Sequence, residues 1–464
     1  MIDLSNIQGI YFVGIGGIGM SAIALYFRNS GYAVAGYDRS ESSVTRNLTA
    51  EGCEITFDDD ETGLPVLFRD ITRKDNILVI YTPAIPPDSR ILRFFRNNGY
   101  TILKRAQVLG AISSDTDTIA VAGTHGKTTI STMTAHILKQ SHVDCSAFLG
   151  GISVNYSTNL LLGKGRFTVM EADEFDRSFH HLTPLMAVIS AVDADHLDIY
   201  GDHETMIGAY NIFCSKIRKD GILILNNRIK DRIRCPENVK CFTYGSDPGS
   251  DYRNFKIERR EESYFFSLET PNGVVKDLRF PFPGIINIDN LTAAIAIALN
   301  CGVTEEEIRN SITLFRGVKR RFEIRVNLPG LTYIDDYAHH PEEIRACVRS
   351  VREYFSGRKV TGIFQPHLFS RTRDHADGFA QILDELDEVI LLPIYPAREK
   401  PISGISSELI LGKMKLKNRK LLKMEEILPW LDPGKIDVLV TIGAGDIDKL
   451  VGPIEEKLKA KAGK

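Results

Sequence analysis

Residues 118–133 read TIAVAGTHGKTTISTM. The apolar run 119–122 has the length and composition of a buried strand. It ends in Gly123, Thr124, His125, Gly126, Lys127, Thr128 and Thr129, and a helical pattern follows at once. Strand, glycine loop, Lys-Thr and helix in that order make a phosphate cradle of the kind that holds ATP. Glycines let backbone N–H groups approach phosphate oxygens closely. The helix N-terminus adds partial positive charge, Lys127 reaches the terminal phosphates, and the Thr128 hydroxyl ligates Mg²⁺. The match to G-x-x-x-x-G-K-[ST] lacks its first glycine, whose place Val121 takes. The competing reading is a tight strand-to-helix turn that happens to carry a lysine.

Upstream, residues 9–13 (GIYFV) read as a strand running into Gly14-Ile15-Gly16-Gly17-Ile18-Gly19, with a helix pattern over 20–29. This is G-x-G-x-x-G in the right context, and a second strand, 34–37, ends at Asp38, near the spacing where an acidic residue meets a ribose. Taken alone, the turn says NAD-dependent dehydrogenase. Any diphosphate-bearing ligand can use the same turn and helix end, however. A buried strand at 77–81 carries Thr82-Pro83-Ala84-Ile85 at its C-terminal end, where ligands sit in open α/β sheets. The chain does not complete a second dinucleotide half before the phosphate cradle, so the expectation is a nucleotide-diphosphate site.

Downstream, strands at 144–149, 167–170 and 186–192 are expected. The last two deliver Glu171-Ala172-Asp173-Glu174 and Asp193-Ala194-Asp195-His196-Leu197-Asp198 at their C-terminal ends. Carboxylates and a histidine beside a phosphate cradle suit divalent-metal and γ-phosphate handling, with Glu171 and His196 as the candidates. Asp173, Asp193 and Asp198 also fit as loop starts and helix caps. His180, His181 and His203 carry no such placement. Residues 251–280 alternate polar and apolar like antiparallel hairpins. Pro283-Gly284 breaks the chain, and an alanine-rich helix follows over 288–299, with Asn290 on its first turn able to recognise a base or to cap.

A basic hinge, Gly317 to Glu323, opens a third αβ pattern. Strands at 331–334, 360–364, 389–392 and 438–441 each end in polar or glycine residues: Asp335 to Pro341, Gln365 to Arg373, Pro393 to Glu399, and Gly443 to Asp446. That is the pattern of a doubly wound sheet with its site at the C-terminal edge.

Composition bounds the rest. A chain of 464 residues holds two to four domains at roughly 100–200 residues each. Hydrophobic content of 43% and charged content of 25% are those of an ordinary globular protein. A formal charge of -3 gives no electrostatic case for nucleic acid. Seven cysteines, with no C-x-x-C pair, read as reduced thiols. No basic segment precedes an apolar one at the N-terminus, and no apolar run approaches ~18 residues, so a cytoplasmic protein without membrane insertion is expected.

One diphosphate turn, one ATP cradle and one further α/β domain with Arg and His suggest joining two substrates at the expense of ATP. YFVGIGGIGMSAIA, AGTHGKTT, EADE, DADHLD, RRFE, DDYAHHPEE, QPH with SRTRD, YPARE and GAGDI stand in that order. With these motifs the chain resembles the Mur ligase family over nearly its whole length. The resemblance implies three domains: a Rossmann-like UDP-sugar-binding domain at 1–105, a central ATP-binding domain at 106–317, and a doubly wound amino-acid-binding domain at 318–464. It implies an ATP- and Mg²⁺-dependent ligase that joins L-alanine to the carboxylate of UDP-N-acetylmuramate, acting as a monomer or homodimer. A ligase of the same family that takes a tripeptide is the alternative. Carried over by position, Gly14, Gly16, Gly17, Gly19, Asp38, Thr82 and Ala84 would hold the UDP-sugar. Residues 123–129 would hold ATP with Asn290, Arg321 and Asp335. Thr128, Glu171 and His196 would ligate metal, Lys127, His196 and Glu171 would serve catalysis, and Tyr337, His339 and Arg371 would place alanine.

The chain departs from the family pattern in places. Ile286-Asn287 stands where a His is usual, Phe175 where a serine is common, and Leu368 where a basic residue is frequent, which leaves Arg371 as the expected carboxylate partner. Several members carry a carbamylated lysine downstream of the metal-binding histidine. The corresponding position here is Asn211, an amide that cannot form a carbamate.

Overall fold

The computed structural model describes residues 6–194, 197–397 and 399–462. Three sheets organise the chain. The first has strands β1 (Gly9–Val13), β2 (Ala33–Tyr37), β3 (Glu54–Thr56), β4 (Ile77–Tyr81) and β5 (Thr101–Lys104) in the order β3-β2-β1-β4-β5, all parallel. Every residue of β1 is buried because helices cover both faces of a parallel sheet. The helix Ile18–Asn29 starts at the end of β1 with Gly17 as its N-cap residue.

The second sheet is built on β6 (Asp117–Ala122), β7 (Cys145–Phe148), β8 (Leu160–Leu161), β9 (Phe167–Glu171), β10 (Met186–Ile189), β11 (Ile222–Asn226) and β12 (Lys240–Gly245). Three longer strands follow, β13 (Tyr252–Arg260), β14 (Ser263–Thr270) and β15 (Gly273–Phe280). Its order is β15-β14-β13-β12-β11-β10-β6-β9-β7-β8. The cradle strand β6 therefore lies between β10 and β9, parallel to both. The alternating segment forms the expected antiparallel pairs β13–β14 and β14–β15. These two sheets belong to one compact unit, residues 1–281 with 289–316. A single apolar cluster joins them, from Ile10, Phe12 and Ile23 through Val108 to Ala120, Phe148 and Phe213. Tyr26 packs on Phe148 at 5.4 Å between ring centres, and Asn159 Nδ2 donates to Ser21 Oγ at 3.0 Å.

The second unit comprises residues 282–288 and 317–464. Its sheet has β16 (Glu323–Leu328), β17 (Leu331–Asp336), β18 (Val360–Phe364), β19 (Glu388–Leu391), β20 (Arg419–Leu421) and β21 (Val438–Ile442) in the order β16-β17-β21-β18-β19-β20. Only β16 is antiparallel to its neighbour. The chain crosses the sheet from β16 through β17, β18 and β19 to β20 and then returns to β21 between β17 and β18, and such a reversal of strand order opens a crevice at the C-terminal strand ends. The architecture is α/β with three domains, two of which share a core.

One expectation is corrected. Cys235 and Cys241 form a disulfide, with Cα atoms 6.2 Å apart. A turn closed by Val239 N–H on the Pro236 carbonyl at 3.3 Å folds the segment back and brings the two within reach. The other five cysteines are thiols, four of them buried and Cys301 half-buried.

Candidate functional site

Gly123 leaves β6 with φ +130°, where a Cβ would overlap Ser190 Oγ and lie 2.9 Å from the Ala191 nitrogen. Gly126 has φ +81°, and a Cβ there would meet Asn290 Oδ1 at 2.9 Å. Only glycine fits these two positions, and the loop backbone is left bare for close approach by a ligand. The helix Lys127–Lys139 begins immediately after the loop. Thr124 N–H donates to the Ala191 carbonyl at 3.0 Å, and its Oγ1 accepts from Asp193 N–H at 3.2 Å. His125 Nε2 lies 3.5 Å from Asp193 Oδ2. Loop and neighbouring strand end are thus tied together, and Asn290 stands over the loop.

The turn after β9 faces the start of that helix. Thr128 Oγ1 donates to Glu171 Oε2 at 2.8 Å. Lys127 Nζ donates to the Gly123 carbonyl at 2.7 Å and to Glu174 Oε1 at 2.8 Å. Burial works against the Lys127 charge, but Glu174, Glu171 and Asp173 outweigh it and hold its pKa above the usual lysine value. Burial pushes the Glu174 carboxyl up, opposed by Lys127. Gly150 lies against Glu171, where any Cβ would overlap the carboxylate. The bare loop, the helix start and a lysine fit a nucleotide polyphosphate, and the adjacent hydroxyl and carboxylate oxygens of Thr128 and Glu171 are hard donors suited to Mg²⁺. Among the described residues no further His, Cys, Asp or Glu completes a three-ligand cluster. His196 lies outside the described residues, as does Asp195.

The glycine turn after β1 is equally constrained. Gly14 has φ +92°, and its Cβ would meet Thr82 Cγ2 at 2.7 Å. Gly16 N–H donates to Asp38 Oδ2 at 2.7 Å, and a side chain at Gly16 would meet that carboxylate at 2.8 Å. Asp38 therefore shapes the turn through the Gly16 amide. A Cβ at Gly19 would meet Arg105 Nη1 at 2.8 Å, and Arg105 Nη2 pairs with Asp173 Oδ2 at 3.1 Å. Gly17 is the least crowded of the four, its nearest neighbour being 3.5 Å away. Ala84 follows Thr82 in the exposed loop after β4.

In the second unit, β17 ends on two buried aspartates. Asp335 Oδ2 accepts from Arg320 Nε at 2.9 Å and its Oδ1 from Thr441 Oγ1 at 2.7 Å, and the residue is fully buried. Both Asp335 oxygens are engaged within the fold, and the side chain fixes Arg320. Asp336 accepts from the Phe322 and Ala338 N–H groups at 2.7 and 2.8 Å, while burial lifts its pKa to about 6. Arg320 and Arg321 lie over the Tyr337 ring at 5.2 and 5.3 Å. Tyr337, His339, His367 and Tyr395 form a chain of ring contacts at 5.4, 5.8 and 5.7 Å. Arg371 Nη1 is 3.5 Å from His367 Nδ1. Burial lowers the His339 pKa, with Glu343 opposing and Arg371 reinforcing, so a neutral imidazole is favoured. The three residues expected to place an amino acid are brought together, with His367 and Tyr395 beside them.

Three family models cover most of the chain. Residues 9–116 match the Mur ligase family catalytic domain, 121–298 the Mur ligase middle domain, and 320–445 the Mur ligase glutamate ligase domain. The chain belongs to the Mur ligase family. Within it, the chain is 49% identical over 453 residues to a UDP-N-acetylmuramate–L-alanine ligase of Porphyromonas gingivalis, covering 97% of this chain and 99% of that one. The UDP-N-acetylmuramate–alanine ligase of Thermotoga maritima superposes with a TM-score of 0.82 at 27% identity, over 98% of this chain and 99% of the other. A murein peptide ligase of Psychrobacter arcticus has the same fold, with a TM-score of 0.71 at 22% identity over 98% of each chain.

Against this Mur ligase frame, sequence reasoning missed Glu174, Gly150, Arg105 and His367 as site neighbours. Glu174 and His367 stand inside quoted motifs, but their partners Lys127 and Tyr395 are distant in the chain and become visible only in the fold. His180 and His203 are structural: their Nε2 atoms bond the Ala209 and Val192 carbonyls at 2.9 and 2.6 Å. Asn211 Oδ1 accepts from Arg234 N–H at 2.8 Å. Lys216 is exposed beyond the end of the helix His203–Cys214.

Proposed function

We propose that the chain is an ATP-dependent ligase that joins L-alanine to the carboxylate of UDP-N-acetylmuramate in peptidoglycan precursor synthesis. The observation that carries this reading is the full-length 49% identity to a UDP-N-acetylmuramate–L-alanine ligase. The two glycine-built phosphate sites, each at a parallel strand end, support it. We place the domain limits at 1–105, 106–317 and 318–464, a division supported by the presence of three separate sheets. Among the described residues no helix is long and apolar enough to cross a membrane; the reading places the reaction in the cytoplasm, on small-molecule substrates.

In this reading the turn Gly14, Gly16, Gly17 and Gly19, with Asp38, Thr82 and Ala84, receives the UDP-sugar. The loop 123–129 receives the ATP phosphates, and Asn290 addresses the adenine. Arg321 contributes a cation to the nucleotide, and Tyr337, His339 and Arg371 hold the amino acid, Arg371 by its carboxylate. Mg²⁺, held by Thr128, Glu171 and His196, would offset charge on the transferring phosphoryl group. Lys127 and the loop amides stabilise the same charge, which in phosphoryl transfer is the main catalytic need. A muramate carboxylate oxygen attacks the γ-phosphorus, and the bond to ADP breaks. The neutral alanine amine then attacks the acyl carbon through a tetrahedral intermediate, loses a proton and expels phosphate. A nearby carboxylate takes that proton.

Label transfer tests the route. With ¹⁸O in the UDP-N-acetylmuramate carboxylate, one labelled oxygen leaves with each phosphate, because the C–O bond to phosphate is the bond that breaks. Phosphate free of label would exclude the acyl-phosphate route.

A further inference from the structure

The turn after β9 carries two carboxylates onto two successive residues of the phosphate loop. Glu171 accepts from Thr128, and Glu174, 1% exposed, meets Lys127. We propose that Glu174 is a positioning residue for Lys127, fixing the ammonium over the glycine loop so that the γ-phosphate meets a donor already aimed and charged. The proposal rests on reading Lys127 as the phosphate-binding lysine.

A lysine side chain has large rotamer freedom, so an ammonium left to itself is poorly aimed. Here the Gly123 carbonyl at 2.7 Å and Glu174 at 2.8 Å fix it from two directions. An ammonium has three donors, so these two bonds leave one for a phosphate oxygen. Glu174 is itself held by its backbone. Its carbonyl accepts from Tyr200 Oη at 2.6 Å and from Arg177 N–H at 2.9 Å. Upstream, Asp173 is anchored by Arg105 at 3.1 Å and by Phe175 N–H at 3.0 Å. Downstream, Asp176 and Arg177 adopt φ of 52° and 56°, a left-handed backbone that side chains disfavour. Strain of this kind persists where the surroundings over-determine it. The turn holds the Glu174 backbone in place, and from there the carboxylate reaches Lys127. A surface ion pair formed only for stability would need neither the burial nor the turn.

Steady-state kinetics of Glu174→Gln, Glu174→Asp, Lys127→Ala and the double variant Lys127→Ala/Glu174→Gln test this. UDP-N-acetylmuramate binding, measured by calorimetry, reports that each variant is folded. A misplacement of about 1 Å can cost ~10²-fold in rate. Glu174→Gln should therefore lower kcat at least tenfold with the KM for UDP-N-acetylmuramate unchanged within about twofold. Glu174→Asp, which keeps the charge on a shorter arm, should recover part of the loss. Because Glu174 acts through Lys127, the double variant should be no slower than Lys127→Ala alone. Normal kcat in Glu174→Gln, or losses that multiply in the double variant, would overturn the proposal. If Glu174→Gln fails to bind the UDP-sugar, the aspartate variant decides: a rate no better than that of the glutamine variant overturns it. Near-normal turnover in Lys127→Ala would instead overturn the reading on which it rests.

Discussion

Lys127 is held between a loop carbonyl and a buried carboxylate, and its burial costs free energy that the fold recovers only through those partners. Replacing it with alanine removes a charge-stabilising donor, and one such donor is typically worth ~10²–10³ in rate. Lys127→Ala should thus lose turnover by that order while keeping the wild-type circular dichroism spectrum and UDP-sugar affinity. A folded variant with normal turnover would remove the phosphate-loop assignment. Gly16 and Gly19 test the other site. Side chains there would meet Asp38 at 2.8 Å and Arg105 at 2.8 Å, so a bulky residue must move the turn that a diphosphate needs. Gly16→Val or Gly19→Val should weaken UDP-N-acetylmuramate binding in calorimetry and leave ATP binding within about twofold. The reverse outcome would mean that the two phosphate sites have been exchanged. At this scale the sequence showed which residues form the loops but not what holds them. Gly123 to Thr129 could be read from a motif, whereas Glu174 lies 47 positions from Lys127 and only strand order brings them together.

Elements with a continuous apolar run, such as β1, β4 and β18, were legible to their last residue. Those not anticipated include β3, β5, β16 and β20, of three to six residues and partly exposed, whose register comes from one neighbouring strand and not from their own periodicity. β11 carries an apolar run, ILILN, that pattern alone would have revealed. The helix Glu305–Thr313 illustrates an element set by local chemistry. Thr304 and Glu307 form a capping box, and Glu307 also accepts from the His142 N–H at 2.8 Å. These hydrogen bonds depress the Glu307 pKa from 4.5 to about 2, the Thr304 and His142 backbone bonds contributing most. A depressed acid stabilises fully above its unfolded value, and the stabilisation fades as pH falls from 4.5 to about 2. Glu307→Ala should cost about 1 kcal/mol at pH 7. The Tm difference from wild type should narrow across that acid window, and a difference constant with pH would contradict the assignment. The helix His203–Cys214 gives a second test. With Asn211 engaged by Arg234 and Lys216 five residues on, about one and a half turns away, Lys216 is not placed to carry a carbamate at the Asn211 position. Bicarbonate depletion should leave the rate unchanged, and Lys216→Ala should keep most of its activity. Loss of activity in Lys216→Ala that short carboxylates restore would reverse this conclusion.

At the scale of the whole molecule, the order of three α/β sheets could be read from the succession of strand-end motifs. That the first two share one core could not, because contacts such as Tyr26 on Phe148 join segments with no common pattern. The ring chain from Tyr337 to Tyr395 likewise depends on β17, β18 and the segment after β19 meeting at one edge of the sheet. The proposed acceptor is L-alanine, and the family alternative is a tripeptide. The most direct test is phosphate release from ATP with UDP-N-acetylmuramate present, adding one acceptor at a time. The expected result is release that depends on both the UDP-sugar and L-alanine, with the tripeptide L-alanyl-γ-D-glutamyl-meso-diaminopimelate giving no more than background. Release driven by the tripeptide and not by alanine would contradict the proposed activity.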